Sequence, residues 1–263
     1  MMWNGETPSW RDVVRALREA ADAEQGVWLG EGLSDAEMDG WGVPVPGPVR
    51  EISRRVGLLH VGAYDVFGAA YPSDAGGGGQ GWRCGERGSF RIVHTNAQAE
   101  TYYVDIDPGT GAWGPVFAFR EGHGAELVAP SFQHWLVSVA EVVRCASGSK
   151  EHFEDFATAF LNWWSGDFAD AGEEFPEDGP EAVARAAEPA TAEVMTVAEA
   201  RGSEDPVLVD AGSRLPEGAL LADLRDAGGP ARVPFGRHPG RPAGTPVYRR
   251  FHGGAVLAAT GAD

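Results

Sequence analysis

Two aspartates one residue apart in YYVDIDPGTGAWGPVFAF, residues 102–119, have the spacing in this chain that most resembles chemistry. Paired carboxylates ahead of a glycine-rich turn suit two tasks: ligating a divalent cation, or attacking a phosphoryl group. Neither pattern is completed. A calcium loop wants acids at its first, third and fifth positions, then glycine, then a distal glutamate. Started at Asp105, those positions hold Asp105, Asp107, Gly109, Thr110 and Val116. A DxDxT phosphatase motif needs threonine where Gly109 stands, and its assisting lysine would have to be Lys150, the only lysine in the chain. What remains is structural: alternate strand residues share a face, and acids before a Pro-Gly turn commonly close a strand.

Other candidate chemistry fails on context. GGGGQG, residues 76–81, contains GxGxxG through Gly76, Gly78 and Gly81, but no strand precedes it and no helix opens in it. It reads as a surface loop. Neither a phosphate-binding GKS or GKT nor a GxSxG nucleophile elbow occurs. A zinc site from His123, His134 and Cys145 has the right donor types without a ligand-spacing motif, and Ser131 in PSFQHW reads as a helix cap rather than a nucleophile. No cofactor and no metal are expected.

The elements around these residues follow from periodicity and caps. Ser9 to Ala23 spells a helix with Val13, Val14, Leu17 and Ala21 on one face, and Ser34 with Glu37 marks a second helix start. WGVPVPGP breaks the chain into extended geometry, and a helix re-enters near Pro48. SFRIVHT, ETYYVDID and GPVFAFR have strand period and composition. LVAPSFQHWLVSVAEVVR returns to helical spacing behind Ser131, and a further helix is expected from Ser149 to about Trp164. Beyond it, 166–205 reads as an acidic linker or partly ordered segment. Residues 206–263 read as a small appendage or domain, with strands at PVLVDA and VYRRFHGGAVLA and a helix at GALLADLRDAG.

The formal charge is −18, from 39 acids against 21 lysines and arginines in 263 residues. Residues 151–205 hold 15 of those acids and only two arginines. Such a surface repels phosphate backbones and steers basic proteins, so nucleic acid is excluded as a partner of the bulk of the chain. No apolar run reaches the length of a membrane span, MMWNGETPSW lacks the pattern of a secretory signal, and the two cysteines form no motif. A cytoplasmic protein that binds neither membrane nor nucleic acid is expected.

In order, LSDAEM, the proline pair of GVPVPGPVREI, the strands of YYVDIDPGTGAWGPVFAF and the helix of APSFQHWLVSVAEVV resemble the SUKH superfamily over about residues 28–145. The segment before the proline pair is short for that family and carries Gly40 and Gly42, and the chain beyond about residue 150 has no counterpart in it. The resemblance implies an α+β fold, a curved and mainly antiparallel sheet flanked by helices, spanning 1–165 with its extra helix. It also implies a non-enzymatic role. Bacterial members are typically immunity proteins that neutralise toxins, often nucleases; fungal relatives regulate cell-wall assembly. On that reading the partner is a basic toxin encoded nearby. Asp105, Asp107, Glu121 and Glu126 supply interface charge, with Tyr102 and Tyr103 as aromatic anchors, one facing the core and the other the partner. Two alternatives stand beside it: a small hydrolase using His238 or His252 between domain and tail, and a regulatory scaffold whose acidic segment is the binding arm.

Overall fold

In the computed structural model, residues 6–62, 64–68, 83–84, 90–95, 100–107, 109–120, 124–166, 168, 189–241 and 247–261 are described. The glycine-rich stretch GGGGQG, Glu121, His123 and most of the acidic segment lie outside them. The chain is α+β, with three mostly antiparallel sheets.

The first part gives α1 (Trp10–Ala23), β1 (Val27–Leu29), α2 (Asp35–Asp39), α3 (Gly47–Ser53), β2 (Leu58–Val61) and β3 (Tyr64–Gly68). β4 (Arg83–Cys84), β5 (Phe90–Thr95), β6 (Glu100–Ile106), β7 (Trp113–Arg120) and β8 (Gly124–Ala129) follow, then α4 (Phe132–Ser149) and α5 (Phe156–Ser165). The last part holds β9 (Ala190–Thr191), β10 (Val194–Thr196), α6 (Val197–Arg201), α7 (Pro206–Ser213), β11 (Leu220–Asp223), β12 (Ala231–Val233), β13 (Val247–Phe251) and β14 (Val256–Thr260).

The caps read from sequence are made. Ser9 Oγ accepts from the Asp12 amide, Ser131 Oγ accepts from the His134 amide, and Ser34 with Glu37 closes a full capping box. The three strands read as SFRIVHT, ETYYVDID and GPVFAFR are β5, β6 and β7, paired antiparallel. The proline segment lies against the turn between β6 and β7. The Trp113 indole N–H donates to the Pro44 carbonyl at 2.7 Å, and Gly111, at φ +70°, lies where any Cβ would meet the Pro44 ring at 2.7 Å.

Three local expectations are corrected. PVLVDA is helical: Asp205 caps the Val207 amide at 2.8 Å and Pro206 sits in the first turn, so the start signals outweigh the β-branched composition. GALLADLRDAG holds strand β11. An apolar run buried on both faces has no readable period, which is why it mimics a helix. The helix expected from Ser149 is two elements, because α4 runs on to Ser149, a 3-10 turn covers Lys150–His152, and Asp155 caps α5 anew through the Thr158 amide.

The layers follow from strand alternation. A six-stranded sheet, order β5-β6-β7-β8-β12-β9, has one face against α1, α4, α5 and the β1-β2-β3 sheet, through Tyr102, Val104, Ile106, Val116 and Ala118. Its other face presents Ile92, Tyr103, Phe117, Phe119 and Leu127 to a second, five-stranded sheet, order β10-β11-β14-β13-β4. There Leu220, Ala222, Tyr248, Leu257 and Ala259 complete the packing, with Phe119 edge-on to Tyr248 at 4.9 Å. The intervening residues Leu221, Val256 and Ala258 point outward and are covered by α6 and α7. The layers are therefore helices, sheet, sheet, helices, the second sheet lying between the six-stranded sheet and α6 and α7. The stretch read as a linker contributes β9, β10 and α6, β12 extends the first sheet beyond β8, and β4 joins the second.

Candidate functional site

The residues singled out on and beside the β6–β7 hairpin separate into four environments. Tyr102 and Tyr103 do point to opposite faces, but both faces are covered, and the two are 6% and 5% exposed. The Tyr102 hydroxyl donates to Glu100 Oε2 at 3.0 Å and accepts from the Trp164 indole at 2.8 Å, while its ring lies 5.3 Å from His94. Burial pushes the Tyr102 phenol up, and Glu100 adds to it. Tyr103 packs edge-on to Phe90 and Phe119 beneath the second sheet. Neither tyrosine presents its ring to the surface from this position.

Asp105 is equally buried and forms an ion pair with Arg250 of β13, both side chains under 8% exposed. Burial pushes the Asp105 carboxyl up and the guanidinium opposes it. Gly254, at φ +84°, lies close enough that a Cβ there would meet Asp105 Oδ2 at 3.2 Å. The pair fastens one sheet to the other. Asp107, though exposed, is a turn residue: its Oδ1 accepts from the Gly109 and Thr110 amides at 2.8 and 2.7 Å, which hold its carboxyl below the usual range. Glu126 on β8 is half-buried and faces Arg232 of β12 at 3.5 Å. Glu121 lies outside the described residues. The group read as one charged interface is not assembled as such, since Asp105 and Glu126 each meet an arginine that the C-terminal strands supply.

The alternative chemistries gain no geometry. Among the described residues no three His, Cys, Asp or Glu side chains converge as a metal site. His134 and Cys145 lie eleven residues apart on α4, about 16 Å at 1.5 Å per residue, too far to share an ion. Ser131 Oγ lies 2.9 Å from His134 Nδ1, yet the same oxygen caps the helix, as its sequence context predicts. His238 Nδ1 accepts from the Gly240 amide at 3.1 Å, and His252, at φ +51°, forms part of the turn between β13 and β14.

Two surface features stand outside the sequence reading. A shallow cavity of about 360 Å³ beside α1 is lined by Trp10, Arg11, Arg15, Arg18 and Arg55 with Glu19 and Asp22, so it carries both signs of charge. The other is Trp28 on β1, 48% exposed and the one exposed large hydrophobic side chain among the described residues. Its indole stacks on the His60 imidazole at 4.9 Å. The period-two signal of VWL is too short to mark this strand; a tryptophan between Gly26 and Gly30 was the available clue.

No family model matches the chain, and neither the search of curated proteins nor the search of solved structures finds a match. No helix among the described residues is long and apolar enough to cross a membrane.

Proposed function

We propose that the chain is a non-enzymatic, cytoplasmic protein-binding module, an immunity protein that neutralises a basic toxin by occluding its working surface. A nuclease is the toxin class that fits, because it must be basic to hold nucleic acid. The observation that carries this reading is how the chain distributes its cations. Arg15, Arg50, Arg54, Arg55, Arg144, Lys150, Arg201, Arg214, Arg225, Arg232 and Arg250 all stand in ion pairs with the chain's own carboxylates. Acids outnumber bases by 18, so the surplus carboxylates, among them exposed Glu31, Glu154, Glu193, Glu204 and Asp226, set the field at the surface. Such a field speeds encounter with a basic partner and resists phosphate backbones. The resemblance of residues 28–145 to the SUKH superfamily supports the same role.

The test is co-expression with the product of the neighbouring gene. The expected outcome is a stable complex whose affinity falls as salt rises, together with protection of cells from that product. A chain that captures no neighbour and protects nothing contradicts the proposal.

A further inference from the structure

Trp28 is held as few exposed side chains are. Strand alternation buries Val27 and turns Trp28 outward on β1, the edge strand of the β1-β2-β3 sheet. Its backbone partner across the ladder is His60, the residue on which its ring stacks, with ring planes 28° apart. That imidazole is fixed in turn: Nδ1 lies 2.7 Å from Asp65 Oδ1 and Nε2 lies 2.8 Å from the Gly62 carbonyl. The indole is thus supported on one face and open on the other, so it loses little side-chain freedom on binding.

The elements around Trp28 carry exposed acids. Asp65, more than half exposed on β3, lies across His60 from Trp28, and exposed Glu31 follows β1. At the opposite end of the strand, the positions of Gly26 and Gly62 abut Phe156 and Ala157, so the start of α5 arrives there with exposed Glu154 and Asp155. Three cations of the flanking elements stand in ion pairs. Lys150 pairs with Glu24 at 2.7 Å, Arg54 with Asp35 at 2.8 Å and Arg55 with Glu51 at 2.6 Å. An exposed indole on a chain of net charge −18 has the chemistry for one kind of occupant, a guanidinium or ammonium group stacked on the ring.

We infer that Trp28, backed by His60 with Asp65 beyond it, is an anchor point at which a basic partner protein inserts an arginine or lysine. This rests on the proposed capture of a basic protein and gives that capture a location: the β1 edge rather than the β6–β7 hairpin.

The probe is a ten-residue alternating arginine–serine peptide, with its isosteric neutral analogue carrying citrulline for arginine. Both are titrated into the full-length ¹⁵N-labelled chain, and the Trp28 indole N–H resonance, assigned through Trp28→Phe, is followed. The arginine peptide is expected to shift that resonance and the citrulline peptide to leave it. Trp28→Ala is expected to weaken the arginine peptide about tenfold, Trp28→Phe to retain most of the affinity, and Asp65→Asn to weaken it about threefold. An unmoved Trp28 resonance, or equal affinity in Trp28→Ala and the parent, overturns the inference. Its failure is separable from that of the immunity reading. If the parent and Trp28→Ala capture the neighbouring gene's product equally, the anchor is wrong and the immunity role stands. If the peptide binds at Trp28 but no neighbour is captured, the anchor stands and the immunity role does not.

Discussion

The two faces of the six-stranded sheet are closed by different means. The helical face is sealed by α1, α4 and α5 and holds a buried polar cage, in which His94 sits 5.3 Å from Tyr102 and 5.6 Å from Trp164 and meets the Asp65 carbonyl at 3.1 Å. The opposite face is sealed by a second sheet from the C-terminal part of the chain, and its polar content is concentrated in the Asp105–Arg250 pair. On one face, polar groups are built into a core of contiguous sequence; on the other, a single ion pair joins segments 145 residues apart. A strand buried on both faces leaves no side for a partner. Exposed aromatic surface must then be sought at an edge, and Trp28 stands there.

The largest effect tests the sheet-to-sheet face. Phe119→Ala removes a fully buried ring that touches Tyr103, Phe117 and Tyr248, and is expected to cost about 3–5 kcal/mol in urea unfolding. A loss under 1 kcal/mol would mean that the second sheet is not packed on the first. Next comes the ion pair. Arg250→Met leaves a buried carboxylate unpaired and is expected to cost about 3 kcal/mol, most of it recovered by the double change with Asp105→Leu. If the two changes are simply additive, the pair does not act as a unit.

The helical face is read by pH. Burial lowers the His94 imidazole from 6.5 to about 4, so the unfolded chain takes up a proton before the folded one. Stability from this group is complete above about pH 6.5 and is lost as pH falls toward 4, by about 3 kcal/mol over that window. His94→Phe should flatten the profile between those values, and a slope unchanged in that variant would contradict the assignment to His94. The smallest effect is at a cap: Ser34→Ala opens the α2 capping box and should lower stability by about 1 kcal/mol, with the sheet contacts intact.

Caps, strand identities and the main helix were legible because each is written in neighbouring residues: Ser131 before its helix, Ser34 with Glu37, the alternation of ETYYVDI. What was not legible depended on distant segments. Nothing near Tyr103 shows that Tyr248 and Leu257 will cover it, nor does anything near Asp105 announce Arg250. β11 carries no readable period for the same reason: Leu220 and Ala222 face the six-stranded sheet while Leu221 faces α6 and α7, so both sides are apolar. The interface proposed from sequence assumed an open sheet face, and the C-terminal part of the chain closes it.

If Trp28 is the anchor, capture of a basic partner uses the β1 edge and not the β6–β7 hairpin. The direct measurement is the affinity of the neighbouring gene's product for the parent, Trp28→Ala and Asp107→Asn chains, side by side at low and high salt. The expected result is salt-sensitive binding that Trp28→Ala weakens about tenfold and Asp107→Asn leaves within about twofold. Binding lost with Asp107→Asn and kept with Trp28→Ala would contradict it.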